Sequence, residues 1–275
     1  MNKRKKTGIL VVLLLLLFGF SFLLLSCGQN KPTEPTAPEN ENEVNATAPD
    51  AEAKKTQGYV LPGLDHGFEQ SPVNIISSAN KDGKHDITLY FKDEINKIEN
   101  LGHTVQLDFA EGSTITQDDT IFAFKQCHFH TPSEHLIDGM TYPMEMHIVN
   151  IMPNEDKTAT PQYLVIGVLF KEGKENKFIA DFLNAIPKDE KGKADLKAGK
   201  VTLHDLFGAI PKNLKGAFYN YRGSLTTPPY TETVRWYITK HVFEASAAQI
   251  EAINKIEGNN ARHVQALYGR TVSSN

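Results

Sequence analysis

Residues 126–135 read QCHFHTPSEH and close a run of aromatic and apolar residues. A run of this kind is typical of a β-strand, in which successive side chains point to opposite faces of the sheet. Gln126, His128 and His130 should therefore share one face. Cys127 should point to the other face. Two imidazoles beside a glutamine could bind a metal ion, although an HxH pair by itself is a weak indication.

A second strand is predicted at residues 144–149, after the turn signal Asp138-Gly139. If that turn centres a hairpin, His147 falls opposite His130 and three histidines from adjacent strands converge. Zinc in catalytic sites typically takes three protein ligands and keeps a fourth position for water. The sequence therefore predicts a Zn²⁺ site formed by His128, His130 and His147. Polar residues that merely line a cleft are the alternative.

Two further residues are placed to orient these histidines. A metal-bound histidine generally donates its second ring N–H to a fixed acceptor. Gln126 precedes His128 by two residues, and Glu145 precedes His147 by two. Because side chains two apart on a strand share a face, we predict that Gln126 and Glu145 accept these hydrogen bonds.

The composition of the chain bounds its fold and its partners. It has 275 residues, of which 40% are hydrophobic and 23% charged, with a formal net charge of -4. This balance is ordinary for a globular protein and gives no basic surface for nucleic acid. The sequence also contains no GxxxxGK[ST] or GxGxxG loop, so nothing indicates a phosphate-bearing cofactor. Strand-like stretches occur at 85–91, 103–109, 121–130, 144–151, 163–170 and 233–241. Helical periodicity is weaker and is best at 177–186 and 247–256, so the pattern predicts one mostly-β domain with a few short helices.

The N-terminus has the pattern of an export signal. Basic residues at 3–6 precede an apolar run at 9–25. The run ends in Leu-Leu-Ser-Cys at 24–27, which resembles the lipobox of bacterial lipoproteins. We expect residues 1–27 to be a signal peptide whose Cys27 is lipidated, with an uncleaved anchor as the alternative because the run is near bilayer-spanning length. Either one tethers the protein to a membrane outside the cytoplasm, in the periplasm or at the cell surface.

A polar linker is predicted to separate this signal from the folded domain at 58–275. Residues 28–57 are rich in Pro, Glu, Asn, Thr and Ala and contain no aromatic residue, so they cannot bury enough apolar surface to fold. The chain has two cysteines, Cys27 and Cys127. If Cys27 carries lipid, the exported domain has no internal disulfide.

Several separate motifs between about Gln70 and Arg270 resemble the alpha-class carbonic anhydrases. They are QSPVNI (70–75), LGHTVQLDF (101–109), QCHFHTPSEH (126–135), YPMEMHIV (142–149), YRGSLTTPPYTETVRW (221–236) and, less closely, NNARHVQ (259–265). The resemblance implies a single domain built around a large central mixed, largely antiparallel β-sheet with a few short peripheral helices. It also implies a zinc-dependent lyase that hydrates carbon dioxide reversibly to bicarbonate and a proton, by attack of zinc-bound hydroxide.

The resemblance also assigns roles to individual residues. Thr226 would accept a hydrogen bond from the hydroxide and donate its own proton to Glu134, because a hydroxyl that donates to a carboxylate has only lone pairs left. His103 occupies the family's proton-shuttle position, and histidine titrates near neutrality. The carbon dioxide pocket would be lined by Val149, Val165, Leu225 and Trp236, with Thr227 at its border.

The chain departs from the family pattern near its N-terminal end. Residues 58–69 contain no tryptophan, and Tyr59 is the candidate for the family's tyrosine there. Tyr230 stands where many exported bacterial members have a disulfide cysteine, and residues 58–69 lack the partner cysteine. We therefore predict a disulfide-free domain in which Cys127 is a buried, inert thiol.

Two other functions compete with carbon dioxide hydration. A non-catalytic surface binding module would be expected to lose a zinc histidine, whereas this chain keeps all three together with Glu134 and Thr226. A zinc esterase is chemically reasonable because the same nucleophile attacks other electrophiles. Nothing in the sequence resembles a site for a larger acyl substrate, so we expect ester hydrolysis only as a side activity.

Overall fold

The structure of the protein, a computed structural model, describes residues 67–83, 85–92 and 95–275. Within these ranges, no helix is long and apolar enough to cross a bilayer. Several sequence-based predictions fall outside the described residues, namely the signal peptide, the lipidation of Cys27, the polar linker and the role of Tyr59.

The described residues form fifteen strands, three α-helices and two 3-10 helices. The strands are β1 (Asn74–Ile75), β2 (Lys81–Asp82), β3 (Ile87–Tyr90), β4 (Ile95–Asn100), β5 (Val105–Phe109), β6 (Thr114–Gln117), β7 (Thr120–His130), β8 (Leu136–Ile137), β9 (Met144–Ile151), β10 (Tyr163–Glu172), β11 (Lys193–Asp195), β12 (Phe218–Gly223), β13 (Val234–Thr239), β14 (Phe243–Ala245) and β15 (Ser273–Ser274). The helices are α1 (Lys177–Leu183), α2 (Leu203–Gly208) and α3 (Ala247–Glu257), with 3-10 turns at Ser77–Ala79 and Lys212–Leu214.

Thirteen of these strands form one mixed sheet, and β1 pairs with β8 in a separate parallel ladder. The main path of the sheet runs β11-β4-β5-β7-β9-β10-β13-β12-β15-β2, with β14 paired to β10 and the β3–β6 pair attached to β7. Nine of its strand pairs are antiparallel and three are parallel. The architecture therefore confirms the predicted mostly-β fold with a large, largely antiparallel central sheet and few short helices.

The two faces of the central strands β7, β9 and β10 have different surroundings. On one face, Cys127, Met146 and Ile148 are buried in the larger hydrophobic cluster, which also takes in the buried sides of all three helices. On the other face, Val165 and Trp236 belong to a smaller cluster. The alternation predicted from the sequence is thus confirmed for Cys127, which points away from the histidines.

The turn predicted at Asp138-Gly139 is present, and the two residues adopt positive φ values of 51° and 79°. It closes the narrow Ile137↔Met140 bridge and does not connect β7 directly to β9. β8 pairs with β1 instead, and the Asp138 carboxylate accepts hydrogen bonds from the backbone N–H and the hydroxyl of Ser77. The connection from β7 to β9 is therefore a loop with its own partners and not a simple hairpin.

Because of this loop, the prediction that His147 faces His130 is wrong. In the β7–β9 ladder, His147 lies opposite His128 and Glu145 lies opposite His130. The observed register differs from the predicted one by two residues, and a shift of two leaves every side chain on its face of the sheet. The three histidines consequently still converge, although the pairing is different.

Candidate metal centre and active site

Three histidines meet on the sheet face that carries the smaller hydrophobic cluster. One ring nitrogen of each of His128, His130 and His147 lies within 4.8 Å of the others. The centroids of the three rings are 4.5–5.3 Å apart. β7 supplies two of the rings and β9 the third, so adjacent strands fix the triangle.

Two of the histidines have fixed hydrogen-bond partners on their outer nitrogens. His128 Nδ1 lies 2.9 Å from Gln126 Oε1, and His147 Nε2 lies 2.9 Å from Glu145 Oε1. Because both partner atoms are acceptors, each histidine carries its proton on that nitrogen. This leaves the Nε2 lone pair of His128 and the Nδ1 lone pair of His147 available for a ligand. Both contacts join the residues that the sequence analysis paired.

His130 provides the test of whether a metal ion fits. It is only 3% exposed, and neither ring nitrogen has a hydrogen-bond partner among the described residues. Buried polar atoms nearly always have a partner, so these nitrogens need one from outside the described side chains. Imidazole nitrogen is a preferred ligand of Zn²⁺, and a cation between the three rings would satisfy one nitrogen of His130. The donor set therefore fits the ion.

The environment keeps all three imidazoles neutral. Burial, with a further contribution from the neighbouring His147, lowers the pKa of His128 to about 3. Burial likewise lowers the pKa of His130 well below its usual value, and burial lowers that of His147 although Glu145 opposes the shift. A metal ligand must be deprotonated, so this arrangement presents three lone pairs at neutral pH.

Glu145 holds the centre together through four hydrogen bonds. Its Oε1 faces His147 Nε2 at 2.9 Å and His135 Nδ1 at 2.7 Å. Its Oε2 accepts from the backbone N–H groups of Glu134 at 2.9 Å and of His135 at 2.8 Å. Burial disfavours the charge, but the interactions with His135 and His147, including their hydrogen bonds, outweigh it and hold the pKa of Glu145 well below its ordinary value. Glu145 is therefore an ionised, fully buried carboxylate.

The sequence analysis missed the residues that extend the hydrogen bonds of Glu145 away from the metal centre. His135 Nε2 lies 2.7 Å from the hydroxyl of Tyr221, and that hydroxyl lies 2.9 Å from Ser71 Oγ. Ser71 Oγ also accepts from the backbone N–H of Ser224 at 3.1 Å. This chain of contacts connects the β7–β9 loop, β12 and the segment before β1 through the buried side of the centre.

Glu134 lies directly beside the histidine triangle. Its Oε1 accepts from the backbone N–H of Arg262 at 2.8 Å and lies 3.6 Å from His130 Nδ1, while its Oε2 lies 3.8 Å from His147 Nδ1. Burial raises its pKa to about 8, opposed by the backbone N–H of Arg262 and by the neighbouring side chain of the buried Thr226. The structure thus brings Thr226 and Glu134 together. A cation among the histidines would favour the ionised carboxyl.

The predicted pocket residues form an apolar surface next to the histidines. They are Val149, Val165, Leu225, Trp236 and, at the border, Thr227. Val165 pairs across the sheet with Val149 on one side and Trp236 on the other, and Leu225 packs against the same cluster. The Trp236 ring lies 4.8 Å from the His147 ring. Thr227 is exposed, whereas the other four are buried or half-buried.

His103 lies apart from the triangle, on the surface just before β5. Its side chain is exposed, and its charge is close enough to contribute to the lowered pKa of His128. Its backbone oxygen accepts a hydrogen bond from the side chain of Asn260. An exposed histidine near a metal centre is well placed to exchange protons with buffer.

A fold of this kind, with three histidines beside an apolar surface, defines the class of the alpha-type carbonic anhydrases. The model of the family "Eukaryotic-type carbonic anhydrase" matches residues 61–275. The chain is 39% identical to a carbonic anhydrase of Neisseria gonorrhoeae, over 75% of this chain and 77% of that one. It is 36% identical to one of Pectobacterium atrosepticum, over 75% and 80%.

Solved structures give the same result. A hyperthermostable carbonic anhydrase from an active hydrothermal vent chimney superposes with a TM-score of 0.67 at 36% identity, covering 78% of this chain and 90% of that one. The chain therefore belongs to the alpha-type carbonic anhydrase family, whose members are lyases, and the resemblance inferred from its motifs is confirmed.

Proposed function

We propose that this protein hydrates carbon dioxide reversibly to bicarbonate and a proton at a Zn²⁺ ion held by His128, His130 and His147. The observation that carries the proposal is the convergence of three neutral imidazoles, one of them buried without a partner among the described residues. Zn²⁺ bound by three neutral ligands supplies a Lewis acid that lowers the pKa of water to about 7.

The residues around the histidines orient the reacting groups. Thr226 donates its proton to Glu134, which leaves the lone pairs of the Thr226 hydroxyl to accept from the nucleophile and to fix its direction. Carbon dioxide has no net charge, so the apolar surface of Val149, Val165, Leu225 and Trp236 suits it. Thr227, at the border of this surface, would position bicarbonate.

The proton released by the reaction must reach buffer. His103 is exposed and lies within electrostatic range of His128, which supports a role as the shuttle. Histidine is the side chain that most often serves as a general acid or base, so His103 would accept a proton from the centre and pass it to solution.

The sequence supports export and attachment to a membrane. The basic start, the apolar run and the Leu-Leu-Ser-Cys segment favour a lipoprotein anchored through Cys27, with residues 28–57 as a flexible tether. Replacing Cys27 with serine should move the protein from the membrane fraction to the soluble or secreted fraction. Retention of Cys27→Ser in the membrane would favour the uncleaved anchor instead.

The proposal is tested by stopped-flow carbon dioxide hydration and metal content on the same samples. We expect fast, zinc-dependent turnover in the wild type, loss of both zinc and turnover in His147→Ala, and loss of turnover that added imidazole restores in His103→Ala. His204→Ala, which removes another exposed histidine, is the matched control and should behave like the wild type.

Other outcomes would contradict the proposal in distinct ways. Full zinc occupancy without turnover would favour the non-catalytic binding module. Ester hydrolysis without rapid carbon dioxide hydration would favour the esterase. Turnover that persists in zinc-free protein would exclude the metal from the mechanism.

A further inference from the structure

The loop between β12 and β13 carries Thr226 and turns sharply at Tyr230. The backbone N–H of Tyr230 donates to Thr227 O at 2.9 Å, and that of Leu225 donates to Thr231 O at 3.0 Å. Tyr230 has a positive φ of 58°, in the left-handed region that residues other than glycine rarely adopt. A tyrosine at this position strains the backbone, so its side chain must make a contact that offsets the strain.

The side chain of Arg262 provides this contact. The central carbon of its guanidinium, Cζ, lies 3.8 Å from the centroid of the Tyr230 ring, and both side chains are half-buried. A guanidinium is flat and more weakly hydrated than an ammonium, and for this reason it stacks well on an aromatic face. Only an aromatic residue at position 230 can form this pair.

Arg262 also contacts two other parts of the candidate active site. Its Nη1 donates to Ser71 O at 2.7 Å, in the segment before β1. Its backbone N–H donates to Glu134 Oε1 at 2.8 Å, and the side chain of Thr226 adjoins that carboxyl. Arg262 therefore contacts the loop that carries Thr226 and also the carboxyl group that Thr226 faces.

A second set of contacts joins the same loop to the segment before β1. Gln70 Nε2 donates to Tyr230 O at 3.2 Å and to Glu232 Oε1 at 2.9 Å. Glu232 Oε1 also accepts from the backbone N–H of Glu69 at 2.7 Å. Tyr230 stands where many exported bacterial members of the family have a cysteine that is paired with one before residue 70. In this chain the two regions are joined without a covalent bond.

From these contacts we infer that Tyr230 and Arg262 form a stacked pair that takes the place of this disulfide and fixes Thr226 relative to Glu134. Both are positioning residues, because they act through the Thr226 loop and the Glu134 carboxyl. This role rests on the proposed function, since it treats Thr226 and Glu134 as the groups that orient the nucleophile.

The test compares Arg262→Gln with the matched control Lys240→Gln. Lys240 Nζ lies 5.2 Å from the centroid of the Tyr219 ring and donates to Asn275 O at 2.8 Å. The control therefore also loses a cation over a tyrosine and a hydrogen bond to a backbone oxygen. Tyr230→Leu removes the ring of the stacked pair, whereas Tyr230→Phe keeps the ring and removes only the hydroxyl.

The first measurement is amide hydrogen exchange in the zinc-loaded protein. It follows the backbone N–H groups of Leu225 and Tyr230, with the amides of β10 as the internal reference for global unfolding. Loss of the cation–π contact should speed exchange in the loop by about three- to tenfold in Arg262→Gln and in Tyr230→Leu. Tyr230→Phe and Lys240→Gln should exchange at the wild-type rate.

The second measurement is carbon dioxide hydration by the same samples. We expect kcat/KM to fall by about threefold or more in Arg262→Gln and in Tyr230→Leu, because small displacements of reacting groups slow the chemistry steeply. Tyr230→Phe should retain the wild-type value. The double variant should lose no more than Arg262→Gln alone, since the two side chains act as one unit.

The possible failures can be told apart. A wild type that does not hydrate carbon dioxide contradicts the proposed function, whatever the exchange rates are. If the wild type is active but Arg262→Gln exchanges at its rate, or if Lys240→Gln accelerates equally, the stacked pair does not hold the loop. Faster exchange with unchanged turnover, or additive losses in the double variant, would contradict the positioning role. Should Arg262→Gln not fold, Arg262→Lys, which keeps the charge without the flat group, decides the question.

Discussion

The Glu145 carboxylate accepts four hydrogen bonds in a position that solvent does not reach. A carboxylate is the only side-chain group that can accept all four, because an amide presents N–H groups on one side. Glu145→Gln should therefore place the N–H donors of the amide opposite the backbone N–H donors of Glu134 and His135. An unsatisfied buried donor costs about 1–3 kcal/mol, and two are affected, so we expect the free energy of unfolding of metal-free protein to fall by about 2–6 kcal/mol.

Denaturant titration of metal-free protein at neutral pH measures this loss. Gln126→Glu is the informative comparison, because it places a carboxylate beside His128 and leaves the acceptor in position. Equal stability of Glu145→Gln and wild type would show that the four contacts contribute little.

Cys127 gives a second prediction for a single residue. Its thiol is buried on the face away from the histidines, and burial raises its pKa far above the usual value. Since the thiolate is the reactive form, a thiol reagent should label Cys127 only after denaturant is added. The measurement uses a Cys27→Ser background, so that a single thiol remains. Stoichiometric labelling of native protein would contradict the buried position.

Single residues also show what could be read from the sequence. Strand alternation was enough to pair Gln126 with His128 and Glu145 with His147, because each pair is local. The His135–Tyr221 contact joins residues 86 positions apart, and Asn260 reaches His103 across 157 positions. No periodicity relates such residues, so these contacts become visible only in the folded chain.

Among the elements, α3 had the clearest sequence signals. The predicted span 247–256 differs by one residue from the observed helix, which begins after a capping box at Ser246 and ends before Gly258. The Ser246 hydroxyl accepts from the backbone N–H of Gln249, so Ser246→Ala should lower the free energy of unfolding by about 1 kcal/mol. Denaturant titration measures this. Zinc release should stay at the wild-type rate, and a change of tenfold would mean that the start of the helix also controls the site.

The end of α3 should make stability depend on pH. Burial raises the pKa of Glu257 to about 8, against the opposing hydrogen bonds of Thr131, Val105 and Thr104. Above the ordinary pKa the unfolded chain loses this proton while the folded chain keeps it, so the folded state loses stability as pH rises towards 8. Glu257→Gln removes this dependence.

Unfolding free energies of wild type and Glu257→Gln at pH 5 and pH 9 provide the measurement. The free energy of unfolding of Glu257→Gln, relative to that of the wild type, should increase by on the order of a few kcal/mol from pH 5 to pH 9. All other titrating groups are shared and cancel in the difference. A difference that stays constant with pH would contradict the raised pKa.

The connection between β7 and β9 shows where element-level prediction fails. Asp138-Gly139 does form a turn, but its partners are β1 and Ser77, and no local pattern shows that. The short strands β4 and β6 and helix α2 were likewise absent from the prediction, because four to six residues are too few for a periodic signal. The long strands β7, β9 and β10 were predicted almost completely.

At the scale of the molecule, the two faces of the central sheet have different roles: one contributes the main hydrophobic core and the other carries the candidate active site. One face packs against the large core cluster with the helices, and the other carries the histidines and the smaller cluster. His128 and His147 lie where their strands are paired on both sides, so their positions are set by the sheet more than by a bound ion. A site built on rigid strands is held closer to its working geometry than one built on loops.

This division predicts how the protein responds to loss of metal. Metal-free protein should keep its far-ultraviolet circular dichroism, because neither hydrophobic cluster depends on the ion. Zinc at a thousand times its dissociation constant should add about 4 kcal/mol, which for a domain of this size raises the unfolding midpoint by about 8–16 °C. His147→Ala should show no such rise, because it lacks one of the three ligands. Collapse of the metal-free protein would mean that the histidine centre helps to hold the sheet together, and an equal rise in His147→Ala would mean that zinc acts elsewhere on the molecule.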